Sequence, residues 1–150
     1  MSYISDMRRY IGHAPMLCVG ATVVVLNDNK ILLNLRSDTH TWGIPGGAAE
    51  LGETLEDTAA RELKEETNLV ANSFTLLNVF SGEDFYFKYP NGDELYSVIA
   101  LYLANGVTGN SKINDGESFE LKYFSKDELP ELESRAKILI DHLIEKGYIL

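Results

Sequence analysis

A single cysteine, Cys18, occurs in the 150 residues, so no internal disulfide can staple the chain. It lies in an apolar stretch and is expected to be a buried thiol. No apolar run reaches the roughly 18 residues that a membrane-spanning helix requires. The first residues, MSYISDMRRYIG, lack an apolar core followed by a small-residue cleavage site, which leaves a cytoplasmic location as the default expectation. There is no internal repeat and no low-complexity segment. Cationic residues are scarce: 13 Lys and Arg stand against 23 Asp and Glu, a formal net charge of −10. That balance argues against non-specific binding of long nucleic acid, which depends on Lys and Arg neutralising phosphates. It leaves room for a small anionic ligand, because a bound divalent cation inverts the local field. His13, His40 and His142 are scattered and suggest no site.

What is present reads as one globular domain spanning 1–150. Hydrophobic residues make up 45% and charged residues 24%, enough for a sizeable core. Residues 3–11 form a short helix in an N-terminal extension of about 15 residues, by the coarse boundary accuracy of such readings. Ile4, Met7 and Ile11 share one side of it, and Gly12-His13-Ala14-Pro15 ends it. Gly20 to Leu26 is a β-branched run expected to be a buried strand. Asn27-Asp28-Asn29 turns the chain into a second strand, KILLNLR. That Asn/Asp cluster lacks the further ligands of a calcium loop, so it reads as a hairpin turn. Residues 71–81 hold another strand. Phe85 to Tyr89, an Asn91-Gly92 turn and Glu94 to Ala104 make a long hairpin. Phe119 to Phe124 is the last strand, residues 125–130 are a helical turn broken by Pro130, and Glu133 to Lys146 is an amphipathic helix. This pattern is α+β, with a mixed sheet and helices on its faces.

The densest chemistry lies in residues 47–69, GAAELGETLEDTAARELKEETNL. Leu55, Ala59 and Leu63 recur every four residues from Thr54 to Thr67 and form a helical apolar stripe. Thr54 is a plausible N-cap, with Asp57 three residues on. Glu62, Glu65 and Glu66 fall at i, i+3, i+4 and crowd another face, which costs a helix roughly 0.2–0.5 kcal/mol per like-charged pair. Arg61 and Lys64 offset only part of that. Such a run alone reads as a solvated acidic face. A hard divalent cation, which takes carboxylate oxygens, waters and substrate phosphates, gives the cluster a second meaning. The preceding Trp42-Gly43-Ile44-Pro45-Gly46-Gly47 reads as a tight loop feeding the helix, with Trp42 as a core plug. Its glycines allow close backbone approach to a metal or phosphate.

Gly47, Glu53 five residues beyond it, Arg61-Glu62-Leu63 and Glu65-Glu66 with Leu69 together resemble the Nudix box. Every position matches except Asn68, where that pattern has Gly. The resemblance extends over nearly all of the chain beyond its first 15 or so residues. It implies the Nudix fold, an α/β/α sandwich with a mixed β-sheet. It also implies a Mg²⁺- or Mn²⁺-dependent enzyme that cleaves a phosphoanhydride in a nucleoside diphosphate linked to another group. The implied metal ligands are the Gly47 carbonyl, Glu62, Glu65 and Glu66, one of these acids being the general base. Arg61 is expected to hold the glutamates by salt bridges, and Glu53 to order the same network from the helix entrance. Relatives commonly add a carboxylate after the box, as ligand or base. Glu120, just before Tyr123-Phe124, is the first choice and Glu117 the second, with a solvated acidic turn as the rival reading.

Arg36 ends the second strand before the loop to Trp42 and can grip a phosphate bidentately, or stand as a surface charge. Phe85, Tyr86, Phe87, Tyr89 and Tyr96 alternate on a hairpin, where cross-strand packing is the main role. Tyr86 is the substrate-stacking candidate, because it falls where diadenosine-polyphosphate relatives carry a tyrosine. The proline of many ADP-ribose relatives is absent near Asp84. The arginine-containing motif of coenzyme A pyrophosphatases is missing upstream of the box. Two other readings remain: a nucleotide-sensing Nudix module without catalysis, and a pyrophosphohydrolase acting on RNA 5′ ends. The complete set of box glutamates weighs against the first, and the lack of a basic stripe against the second. The expected partner is a small nucleotide, with a homodimer common among relatives.

Overall fold

The computed structural model describes residues 2–113 and 118–150. The first helix, α1 (Tyr3–Ile11), opens with a capping box in which the Ser2 and Ser5 side chains satisfy each other's backbone N–H groups. Strand β1 (Met16–Val24) follows, then the hairpin β2 (Leu26–Asn27) and β3 (Lys30–Arg36). The two-residue turn between them places Asp28 and Asn29 at φ 50° and 61°. Both values match the left-handed residues that such hairpins favour. Next come β4 (Trp42–Gly43), β5 (Gly46–Ala48), α2 (Leu55–Thr67), β6 (Ser73–Phe80), β7 (Tyr86–Lys88), β8 (Glu94–Asn105), β9 (Ser118–Phe124) and α3 (Ser134–Glu145).

The strands form two sheets. One has the order β5-β1-β8-β6, with β7 also paired to β8; the other has β2-β3-β4, with β9 paired to β3. β1 and β8 run parallel over nine register pairs from Met16–Leu95 to Val24–Leu103, while the other pairs are antiparallel. The first sheet is therefore mixed. Leu63 and Ala59 of α2 pack with Ala21, Val23, Leu32 and Tyr102 on one side. Leu139, Ile140 and Leu143 of α3 pack with Val24, Ile31, Leu33 and Leu101 on the other. Each fully buried leucine contributes about 1.5–3 kcal/mol of transfer free energy. Helices thus flank the strands from two sides, the layered α+β arrangement expected. Trp42 plugs the α3 side, its ring edge-on to Phe124 at 4.9 Å.

Two expectations are corrected. β1 begins at Met16, four residues ahead of the β-branched run that starts at Gly20, because pairing with β8 extends to both its ends. The Gly46-Gly47 segment is a strand, antiparallel to β1, where a loop was expected. Glycine has poor strand propensity, yet the close approach demands it: a Cβ on Gly46 would lie 2.4 Å from the Ala21 carbonyl oxygen, and one on Gly20 of β1 2.4 Å from the Gly47 carbonyl oxygen.

Asn68, the one departure from the box, caps α2 at φ 64°, ψ 10°, and its N–H donates to the Lys64 carbonyl at 3.0 Å. This is the left-handed cap that Gly supplies elsewhere and that Asn accepts best among other residues. Lys64 Nζ donates to Asn68 Oδ1 at 3.1 Å, and Asn68 Nδ2 donates to the Asn110 carbonyl at 3.2 Å, so Asn ties the cap to a neighbouring loop. Asn68→Gly is expected to leave kcat within a few-fold and to change stability by less than ~1 kcal/mol, since αL strain on Asn is small. Chemical denaturation beside steady-state kinetics checks this, and a large gain in activity would mark the wild-type box as impaired.

Candidate active site

The box becomes a site through α2 and β5. Thr54 caps the helix, its Oγ1 accepting from Asp57 N at 3.0 Å, and the apolar stripe pins one face to the sheet. The acidic face is thereby turned toward β5. Gly46 N donates to Glu66 Oε2 at 2.8 Å, and Glu66 is 6% exposed. Glu62 lies against Gly47 so closely that a Cβ there would meet its carboxyl carbon and Oε1 at 2.4 Å. Two carboxylates are thus delivered to one stretch of glycine backbone.

Arg61 organises the rest. Its Nε donates to Glu53 Oε2 at 2.7 Å and one terminal nitrogen to Glu53 Oε1 at 2.9 Å, a bidentate fork. The other terminal nitrogen donates to Glu62 at 2.8 Å and, more weakly, to Glu65 at 3.3 Å. Arg61 also donates to the Ala48 carbonyl at 2.9 Å. Glu53 accepts in addition from Thr58 Oγ1 at 3.1 Å and from Glu50 N at 2.8 Å. The Arg61 hydrogen bonds, opposed by desolvation, hold the Glu53 carboxyl down at about 2. It is therefore ionised through the physiological range and keeps Arg61 charged. The expectation of a salt-bridged network at the helix entrance describes this geometry.

Glu62, Glu66, Gly46 and Gly47 line a cleft of about 520 Å³, a size suited to a small ligand. Arg36 lines it too. Its guanidinium donates twice to Asp38, at 2.9 and 2.7 Å, and sits 5.5 Å from the Phe87 ring centre. Burial works against the Arg36 charge, but the Asp38 hydrogen bonds and charge outweigh it and raise the pKa. A phosphate gripped by Arg36 therefore has to compete with Asp38.

Tyr86, Glu120 and Glu65 do not line this cleft. Tyr86 packs its ring on Tyr96 at 5.2 Å and donates its hydroxyl to Glu94. Glu120 is exposed on β9 opposite Leu35. Glu117 lies outside the described residues. Glu65 is half-exposed on the box face, with Arg61 as its partner.

Arg135, Glu133 and Asn34 also line the cleft and were not singled out from the sequence. Arg135 at the start of α3 lies 4.2 Å from the Phe87 ring centre, and it donates to Glu133 Oε1 at 3.0 Å and Ser97 Oγ at 3.1 Å. Glu133 is 6% exposed and also accepts from Ala136 N at 3.3 Å as the N-cap. Asn34 is 7% exposed; its Nδ2 donates to Ser118 Oγ at 2.8 Å, and its buried Oδ1 has no partner among the described residues. The available signals were faint: a lone amide inside the apolar strand KILLNLR, and a carboxylate at a helix start.

The donor set suits a hard cation. Carboxylate and carbonyl oxygens predominate at β5, and the Gly47 cradle admits the Glu62 carboxylate only because no Cβ fills it. Among the described residues no three or more His, Cys, Asp or Glu side chains converge as a ready-made cage. Mg²⁺ needs none, since it binds through one or two carboxylates plus waters and substrate phosphates.

The fold is similar to that of a MutT NUDIX hydrolase from Burkholderia pseudomallei. The likeness has a TM-score of 0.72 at 28% identity, covering 84% of this chain and 97% of that one. The family model described as NUDIX domain matches residues 16–143, and the chain belongs to that family of hydrolases. An ADP-ribose pyrophosphatase of Methanocaldococcus jannaschii is 33% identical over 124 residues, 80% of this chain and 69% of the relative. A Bacillus subtilis protein provisionally named an 8-oxo-dGTP diphosphatase is 35% identical over 117 residues, 77% of this chain and 71% of the relative. Among the described residues no helix is long and apolar enough to cross a membrane.

Proposed function

We propose that this hydrolase cleaves a phosphoanhydride in a nucleoside diphosphate linked to another group, with Mg²⁺ or Mn²⁺ bound at the Nudix box. The observation that carries this is the delivery of Glu62 and Glu66 to the Gly46–Gly47 backbone inside the cleft. Glu62, Glu66 and Glu65, with the Gly47 carbonyl, would hold the cation. When bound, it supplies a Lewis acid that polarises phosphoryl oxygens, acidifies water and neutralises leaving-group charge. The chain's own residues do the positioning. Arg61, anchored by Glu53, fixes where Glu62 and Glu65 point. Gly46 N–H donates to Glu66 Oε2 and so fixes where that carboxylate points. Arg36, which lines the same cleft, offers a cation to the phosphate chain. One of the box glutamates accepts the proton of the attacking water. The relatives named for ADP-ribose and 8-oxo-dGTP support a nucleotide substrate. The acidic balance of the chain favours a small nucleotide over long nucleic acid.

The test is metal removal. EDTA is expected to abolish release of nucleoside monophosphate or phosphate from a nucleotide panel, and added Mg²⁺ or Mn²⁺ to restore it. Full turnover in metal-free buffer would overturn the reading.

A further inference from the structure

The family match begins at residue 16, so α1 lies outside it, yet α1 reaches the cleft. Ser2 and Ile4 line the same cavity as Glu62, Glu66 and Arg36. We infer that the first turn of α1 is a wall of the substrate site and selects the group carried on the nucleoside diphosphate. This rests on the hydrolase reading above.

Three contacts hold the wall in place. Tyr3, Ile4, Met7 and Ile11 pack on Met16, Cys18, Phe87 and Leu95. That apolar face is small, and no residue of α1 is fully buried. Polar clips at both ends do the rest. At the C-terminal end Arg8 donates to the carbonyls of Gly12, Ala14 and Glu94 at 3.1, 2.6 and 2.7 Å, and His13 bonds Asp93 at 2.6 Å. At the N-terminal end Tyr3 N donates to Glu50 Oε1 at 2.7 Å. That N–H is one of the four a helix start leaves without an intrahelical acceptor, and a carboxylate there also answers the helix dipole.

Glu50 is part of the box loop. Its backbone N–H donates to Glu53 Oε1, and Glu53 holds Arg61, which holds Glu62. One unbroken series of hydrogen bonds therefore runs from the α1 wall to the carboxylates. Glu50 lines the same cleft, and through its bond to Tyr3 N–H it is a positioning residue that sets where Ser2 and Ile4 stand.

The test uses the full chain with two probes of different bulk, ADP-ribose and 8-oxo-dGTP. Kinetics are measured with Mg²⁺ and equilibrium binding by calorimetry with Ca²⁺ in its place. Ile4→Trp fills the cleft end, and it is expected to raise KM and Kd for the bulkier ADP-ribose by tenfold or more relative to 8-oxo-dGTP. The rise in KM should exceed any change in kcat by at least fivefold. Glu50→Ala is expected to raise KM in the same direction, and Glu50→Gln, which keeps an acceptor for Tyr3 N–H, to restore it. Circular dichroism keeps misfolded variants out of the comparison; Ile4→Ala, which opens the wall, then replaces an Ile4→Trp that does not fold and should narrow the preference. Equal effects of Ile4 variants on both nucleotides, or none, overturn the inference alone. Binding without turnover in the wild type overturns the hydrolase reading alone, and absence of binding overturns both.

Discussion

Glu66→Gln is expected to lower kcat by about 10²–10⁴-fold, the range for losing a catalytic proton-transfer group. The carboxylate is 6% exposed and anchored on Gly46 N–H. Glutamine keeps the shape and still accepts that hydrogen bond through its carbonyl oxygen. What disappears is the negative charge, which under the proposed function would hold the cation or take the proton of the attacking water. The fold should hold, because removing one of three crowded charges relieves about 0.2–0.5 kcal/mol of helix repulsion per pair. Glu65→Gln is expected in the same direction. Its carboxylate is half-exposed and bonds Arg61 at 3.3 Å, so its effect belongs at the lower end of the range. Rates at saturating Mg²⁺, with thermal melts of each variant, decide the matter. A loss under tenfold in both would move the catalytic centre elsewhere.

Gly47→Ala is expected to cut kcat/KM by about 10²-fold, the scale of a 1 Å misplacement of reacting groups. The added methyl would start 2.4 Å from the Glu62 carboxyl carbon and Oε1 and 2.7 Å from Oε2. No real contact is that short, so Glu62 must move. The carboxylate is the far end of a flexible side chain, and its displacement strains little backbone. Stability should therefore change much less than activity. Glu62 loses its place beside β5 and its 2.8 Å bond from Arg61 together. A structure of Gly47→Ala with Glu62 unmoved, or activity within threefold of wild type, would remove the argument that the glycine is there for the carboxylate.

The split between stability and activity also separates what local sequence reveals from what it hides. The expected Thr54 cap and its Asp57 partner are present as a capping box, and like the left-handed cap at Asn68 they are short-range features. Each is decided by residues within four positions of one another, where backbone geometry leaves few choices. The Asn-Gly turn before β8 and the hairpin at Asp28-Asn29 were legible for the same reason. The Gly46-Gly47 strand was not, because its local propensity points the other way and only β1 across the ladder makes it a strand.

The sequence by itself determined that Glu62, Glu65 and Glu66 share a helix face and that Arg61 stands beside them, since a 3.6-residue period admits no other outcome. The class of chemistry was legible only through the resemblance of residues 47–69 to the Nudix box. Only the tertiary structure decided what shares a cleft with Glu62 and Glu66. Arg36 and Asn34 from β3, Ser97 from β8, Glu133 and Arg135 from the start of α3, and Ile4 from α1 meet in one cleft across long separations in the chain. It likewise left Tyr86 and Glu120 outside that cleft, on the outcome of strand register and pleat. A one-residue shift in pairing turns a side chain to the other face of a sheet. Such a choice rests on the summed burial of both sheets, which no window of sequence contains.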